Sequence, residues 1–367
     1  MKHHLKSAFT CAATILLALL APGTLISSEP ASPKPTEWQW HAFPDKSKFK
    51  VLGLHWFDQN SPKLWRLPAQ QLDSLPKGVQ NGAKRASGAR ILLRCDTRRL
   101  ALEVTGPKGL TPGAFDLYVN GRLAPPAATD NSRGDTNLVW SDCPGQGAKE
   151  LVIYLPHNQE VLVKAIGVDP DARFSLPEHT FAKPLPIVFY GSSVCQGSGA
   201  AHAAMTYEAI LCRELNLDFI NLGFGGAGKA ESNVVAQVNS IPACAYAFDL
   251  GKSYGAQDAT AYKAMLQAVR KAHPDTPIFC LTPITSAREV RDPSYSERSV
   301  HTRTVMREPA SELIQAGDNN LVLLEGADLL GFEEHSTLSK DGVHPADQGY
   351  SLIARKLLPA FKKTLGL

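Results

Sequence analysis

A chain of 367 residues exceeds what one ordinary core holds, so two domains are expected. With 44% hydrophobic and 20% charged residues, the composition is that of a globular protein. A formal charge of +3 and no dense Lys/Arg block leave nucleic acid without a basic patch to grip, so no nucleic-acid partner is expected.

The chain begins with Lys2, His3, His4 and Lys6, followed by an apolar run from Ala8 to Ala21 and then Gly23, Ser27 and Ser28. This order reads as a cleavable signal peptide over residues 1–28, too short and too weakly flanked to anchor the protein. Cys11 lies inside the apolar run, not just after it where a lipid anchor would attach. A secreted or periplasmic protein without a stable membrane anchor is expected. Cys95, Cys143, Cys195, Cys212, Cys244 and Cys280 remain, and export permits them to pair. Cys212, Cys244 and Cys280 sit in apolar segments where buried thiols are equally reasonable. No CxxC or Cys/His ligand spacing occurs, so neither metal nor cofactor is expected.

Between residues 36 and 170 the pattern is one of short apolar runs separated by Gly, Pro, Asn and Asp. Ala89–Cys95, Leu100–Val104, Phe115–Val119 and Leu151–Leu155 read as strands, and Asn120-Gly121 as a hairpin turn. An all-β sandwich is predicted, with no helix of convincing length. In Lys46-Ser47-Lys48-Phe49-Lys50 the alternation places the lysines on one solvated strand face. Residues 171–185, with Pro177 and Pro184 among polar residues, read as a linker.

From residue 186 to 367 strands and helices alternate. Ile187–Tyr190, Asp218–Leu222, Tyr246–Leu250, Ile278–Leu281 and Leu321–Leu324 read as strands. Met205–Leu215, Glu231–Val238, Thr260–His273, Ser299–Ala316 and Gln348–Phe361 read as helices. This rhythm predicts a three-layer α/β/α domain on a parallel sheet, whose ligands bind at the carboxyl ends of the strands. The loops after Tyr190, Leu222, Leu250 and Leu281 should therefore surround one cleft.

Chemistry-bearing residues fall on those loops. The first strand ends in Gly191-Ser192-Ser193, which reads either as an exposed nucleophile or as a helix-capping turn. Before the last helix stands Asp341-Gly342-Val343-His344-Pro345. One turn can hold both side chains, the carboxylate fixing one imidazole nitrogen while the other takes a serine proton. Asn221-Leu222-Gly223-Phe224-Gly225-Gly226 follows the second strand, where glycine N–H groups can approach a ligand closely. A dinucleotide fingerprint fails there, because no acidic ribose partner follows and the strand is not the first of its sheet. A Gly-x-Ser-x-Gly elbow is also absent, since Cys195 occupies its last position.

These blocks resemble the SGNH (GDSL-like) hydrolases over residues 186–367. Gly191-Ser192-Ser193 is similar to the family's Gly-Asp-Ser block, with Ser192 in place of Asp. The resemblance implies Ser193 as nucleophile, Asp341 and His344 as its partners, and the N–H groups of Ser193 and Gly226 as oxyanion donors. In Asp249-Leu250-Gly251-Lys252-Ser253, Ser253 stands where the family carries an oxyanion-hole Asn. Either the Ser253 hydroxyl or the Lys252 ammonium takes over, or the reaction is slower. Gly113-Ala114-Phe115-Asp116-Leu117-Tyr118, with residues 86–95, resembles the Gly-x-Asp-Leu-Tyr β-sandwich module that precedes a subset of these enzymes. The whole implies an exported serine esterase acting on acetylated carbohydrate; the alternative is a degenerate hydrolase fold that binds carbohydrate without catalysis.

Overall fold

The computed structural model describes residues 37–106, 110, 114–133 and 136–367. The expected signal peptide and Gly113 lie outside them. Strands β1 (Gln39–Ala42), β2 (Lys50–Leu52), β3 (Arg90–Cys95), β4 (Arg99–Thr105), β5 (Asp116–Val119), β6 (Arg122–Leu123), β7 (Ala128–Arg133), β8 (Thr136–Asp142), β9 (Lys149–Tyr154), β10 (Leu162–Val168) and β11 (Phe174–Ser175) form two antiparallel sheets. One runs β1-β10-β4-β8-β7; the other runs β11-β3-β9-β5-β6, with β2 on β3. Period-two alternation decides what faces what. Ile91 and Leu93 of β3 and Leu151 and Ile153 of β9 share a core with Leu100, Leu102 and Val104 of β4, as the predicted sandwich requires. Asn120 and Gly121 form the expected hairpin between β5 and β6, at φ 47° and 75°. β11 pairs with β3, so residues expected to be pure linker supply a short edge strand.

The lysine alternation at 46–50 is not a strand face. Asp45 builds a turn, its Oδ1 accepting from the Ser47 N–H (3.0 Å) and its Oδ2 from Lys48 Nζ (2.5 Å), and β2 begins only at Lys50. A side chain that competes for backbone donors overrides the periodic signal.

Helices in this half are short, in keeping with the absence of a convincing helical period. Helix α1 (Phe57–Asn60), a 3-10 turn at Ala69–Ser74 and helix α2 (Lys77–Ala83) interrupt the sandwich between β2 and β3. Each is one or two turns long, too short to show a helical period. Phe57 of α1 stays in the sandwich core, whereas Leu72 of the 3-10 turn, Val79 and Ala83 of α2, and Leu67 just ahead of them pack in a core with the parallel sheet.

That sheet consists of β12 (Ile187–Gly191), β13 (Phe219–Gly223), β14 (Ala245–Asp249), β15 (Ile278–Leu281) and β16 (Leu321–Leu324), in the order β13-β12-β14-β15-β16 and parallel throughout. Helices α3 (Ser193–Gln196), α4 (Tyr207–Leu215), α5 (Ser232–Asn239), α6 (Thr260–Ala272), α7 (Ala287–Arg291), α8 (Pro293–Gln315), α9 (Gly326–Leu329) and α10 (Asp347–Leu365) complete it. Every residue of β12 through β15 is buried, because helices cover both faces. Val188 and Tyr190 meet Val234, Leu266 and Met306 on one side; Ile187 and Phe189 meet Leu211, Leu357 and Phe361 on the other. This is the three-layer α/β/α arrangement expected. Among the described residues, no helix is long and apolar enough to cross a membrane.

The two halves meet through side chains chosen by strand alternation. In β5, Leu117 enters the sandwich core, whereas Asp116 and Tyr118 face the α/β unit. Asp116 accepts from the Ala204 N–H (2.8 Å) and pairs with His202 Nδ1 (2.9 Å), while Arg213 lies 4.5 Å over the Tyr118 ring. The deepest link is Arg66, 1% exposed. It donates to the carbonyls of Gly82 (2.7 Å) and Arg85 (2.9 Å) on its own side, and of Asn221 (2.9 Å) and Gly223 (2.7 Å) across the junction. Burial pushes its guanidinium down to about 9. Arg66→Met strands these carbonyls without a donor and should lower stability by about 3 kcal/mol, read as a shift in the urea midpoint. Arg66→Lys should restore little, since a point charge cannot serve four carbonyls spread over a fork.

Candidate active site

β12 ends at Gly191, and the chain turns at once into α3, whose first residue is Ser193. The turn is tight enough that the backbone of α3 rides directly over β13. A Cβ on Gly223 would stand 2.2 Å from the Gln196 nitrogen and 2.5 Å from the Cys195 carbonyl carbon. Both obstacles are backbone, so neither can rotate away. Gly223→Ala should therefore displace α3 and cost about 3 kcal/mol, seen as a lowered thermal midpoint.

The predicted pair near the C-terminus is brought to this serine. The turn is closed by Ser339 N–H donating to the His344 carbonyl (2.8 Å) and by a bridge between Leu338 and Pro345. Within it, His344 Nδ1 lies 2.6 Å from Asp341 Oδ2, and His344 Nε2 lies 2.9 Å from Ser193 Oγ. Asp341 Oδ1 accepts from the N–H groups of Val343 (2.8 Å) and His344 (3.0 Å) and from the Ser339 hydroxyl (2.9 Å). Partial burial opposes the Asp341 charge, but these hydrogen bonds, led by that from the His344 side chain, hold its carboxyl well below the usual carboxylate range. From the adjoining helix α10, the Tyr350 hydroxyl donates to the carbonyls of Val194 (3.1 Å) and Ser198 (2.7 Å), tying the segment that follows His344 to α3.

A cavity of about 480 Å³ opens on this trio at the carboxyl ends of the strands. Ser193, Gly225, Gly226, Lys252, Ser253, Pro283, Ile284 and His344 contribute to its wall, so the loops after β12, β13, β14 and β15 do surround one cleft. The Gly225 N–H is already spent on Gln196 Oε1 (2.8 Å). Neither the Ser193 nor the Gly226 N–H meets an acceptor among the described residues, and both remain available to a ligand. Ser253 reaches the cavity wall from a 3-10 turn, Gly251–Tyr254.

Beside Ser253, Lys252 Nζ lies 3.3 Å from Glu289 Oε1, and Arg303 holds the same carboxylate at 2.9 Å. Burial lowers the Lys252 ammonium to about 8, against the pull of Glu289. Two buried acids lie nearby, Asp249 in the cavity wall and Glu208 beside Cys195. Burial pushes Glu208 well above its ordinary value and raises Asp249 to about 7, opposed there by the Tyr207 hydrogen bond and Lys252. Burial thus weakens the negative charge of both acids. Cys195 is fully buried and its thiol is pushed far up by that burial, as a packing residue's would be. The six cysteines of the described chain are all free thiols.

Three contributors escaped the sequence reading. Gln196 buttresses the Gly225 loop, and its Nε2 donates to the His157 carbonyl (3.3 Å). Arg66 fixes the carbonyls of Asn221 and Gly223, and its only local signal is a charge set within Leu64-Trp65-Arg66-Leu67. Arg85 reaches the cavity wall from the N-terminal half.

Residues 184–362 match the model of the GDSL-like Lipase/Acylhydrolase family. Among solved structures, the chain is similar to a protein from Bacteroides ovatus described as a GDSL-like lipase, at 25% identity and TM-score 0.77, covering 90% of this chain and 98% of that one. It is also similar in fold to a salicylyl-acyltransferase from a tetracycline biosynthetic pathway (22%, TM-score 0.75, 91% and 99%). An acetyl xylan esterase from Butyrivibrio proteoclasticus shares the fold at 14% identity and TM-score 0.58, covering 89% and 99%. No curated protein matches the sequence. Residues 184–362 thus form a GDSL-like lipase/acylhydrolase domain, and the protein is an ester-hydrolysing enzyme.

Proposed function

We propose that this protein is an exported serine esterase that removes O-acetyl groups from carbohydrate. The observation that carries the reading is the continuous hydrogen-bonded line from Asp341 through His344 to Ser193, at 2.6 Å and 2.9 Å. Ser193 Oγ attacks the ester carbonyl as His344 Nε2 takes its proton, and Asp341 stabilises the resulting imidazolium. The N–H groups of Ser193 and Gly226 hold the oxyanion, with the Ser253 hydroxyl as third donor and the Lys252 charge close behind. His344 returns the proton to the leaving alcohol. Water, activated by the same imidazole, then attacks the acyl-enzyme and frees the acid.

Export rests on the basic start and apolar run of residues 1–28. The carbohydrate assignment is supported by that export, by the sandwich ahead of the α/β unit and by the acetyl xylan esterase of like fold. Hydrolysis of 4-nitrophenyl acetate and acetylated oligosaccharides by the mature protein tests the reading. Ser193→Ala should reduce kcat by roughly 10⁴-fold or more, and Asp341→Asn by about 10⁴-fold through the wrong imidazole tautomer. A wild type no faster than Ser193→Ala would sink the reading and leave a sugar-binding protein.

The environment of Lys252 adds a pH signature. A lysine lowered to about 8 keeps its charge below that pH and loses it as pH rises through it. The rate should therefore fall on the alkaline side with a midpoint near this value. Lys252→Arg should move that limb upward, and Lys252→Met should abolish it while lowering kcat about tenfold or more. An unchanged alkaline limb in Lys252→Met would remove the residue from the chemistry.

A further inference from the structure

The cavity wall carries one cation that the reaction just described does not use. Arg85 lines it together with Ser193 and His344, yet it comes from the N-terminal half, two residues beyond α2. Its backbone is fixed: its N–H donates to the Gly82 carbonyl (3.1 Å), and its own carbonyl accepts from buried Arg66 (2.9 Å). The side chain is treated differently. It is half-buried and makes no hydrogen bond or ion pair with any described residue. Every other arginine at the junction is engaged: Arg66 by four carbonyls, Arg90 by Asp218 at 2.6 Å, and Arg213 by the Ala204 carbonyl at 3.0 Å. Its nitrogens are not among the buried atoms that lack a partner, so water can reach the guanidinium and a ligand can take that water's place. Set in the wall of a cleft beside a nucleophile, the guanidinium is an open donor.

Other charges in the wall do not satisfy it. Lys252 is of the same sign and is already paired with Glu289. Asp249 is the single acid lining the cavity among the described residues; it accepts from the Tyr207 hydroxyl, and burial weakens its charge. The cleft therefore presents positive charge to whatever enters it, with the planar five-donor fork of an arginine at one wall.

We propose that this cleft takes an ester that carries a carboxylate, and that Arg85, supplied by the N-terminal half, is the specificity-determining residue that receives it. The inference rests on the esterase reading above and narrows its substrate. Two sources share the chemistry: an O-acetylated uronic acid, with the carboxylate on the alcohol side, and a half-ester of a dicarboxylic acid, with it on the acyl side. In either case the guanidinium meets the carboxylate through two parallel N–H···O bonds, which a neutral ester cannot accept with charge.

The test is a ratio, so that general loss of activity does not imitate it. kcat/KM is measured for O-acetyl galacturonic acid against its neutral methyl ester, and for 4-nitrophenyl hydrogen succinate against 4-nitrophenyl methyl succinate. In the wild type one of the two acids should be favoured over its neutral partner by roughly tenfold to a hundredfold, and the pair that shows the preference assigns the side. Arg85→Met should reduce that ratio to near one, Arg85→Lys should keep part of it, and raising the salt should compress it in the wild type. No preference in the wild type, or a preference that survives in Arg85→Met, overturns the proposal. Should no ester be turned over faster than by Ser193→Ala, the esterase reading fails separately. Binding of the same acids and neutral esters to Ser193→Ala, with and without Arg85→Met, then decides the Arg85 proposal, and equal affinities overturn it.

Discussion

The cleft depends on one buried guanidinium. Arg66 makes no ion pair with any described residue; it replaces water with four backbone carbonyls, two from each side of the junction. Taking a charge out of water is tolerable only where hydrogen bonds cover it on every side, so this geometry is specified within narrow limits. Two of its acceptors, Asn221 and Gly223, flank the turn that leads into Gly225 and Gly226. The loop that presents the free Gly226 N–H to the cavity is thus positioned from the N-terminal half, and so is Arg85, whose carbonyl closes the same set. Helix α2 reinforces the arrangement by lying against Phe224 and Ala227 through Gly82 and Gly78, where no side chain intervenes.

Electrostatics in the cleft follow from selective burial. Asp341 is partly exposed and ringed by donors, so it stays ionised beside His344. Glu208 and Asp249 have lost water without gaining comparable donors, and burial favours their neutral forms. Lys252 retains a charge only partly offset by Glu289, which Arg303 also claims. A negative carboxylate stands beside the His344 ring, whereas Asp249 in the cavity wall is pushed toward neutrality. One residue type serves opposite ends because solvent and donors are distributed unequally.

What could be read from the chain alone was what is local. The apolar run Ile187–Tyr190 announces a buried strand by composition, and Ser193 follows it by two residues beyond Gly191. Asp341 and His344 are three apart, so a single turn accounts for their meeting. Asn120-Gly121 names its own turn. What was misread or missed shares another cause. At residues 46–50 the Asp45 side chain captured the backbone and cancelled the alternation. Helices α1 and α2 are too short for a period, and α2 draws its stability from a sheet far along the chain. Arg66 and Arg85 look like ordinary surface arginines until the tertiary fold places Asn221, Gly223 and the cavity around them; no spacing rule spans that separation. Asp116 and Tyr118 carry the visible motif, yet their alternation about Leu117 gains meaning only when the α/β unit is present to receive them.

The segment between β2 and β3 has a consequence for biosynthesis. It lies inside the sandwich along the chain but spends Leu67, Leu72 and Val79 on the parallel sheet. A ribosome delivers these residues long before β12 and β13, so the nascent sandwich carries an uncovered apolar ledge while the rest is made. The two halves are interleaved, not strung end to end. No single cut yields two finished bodies, and recombination that exchanges one half must bring a matching ledge with it.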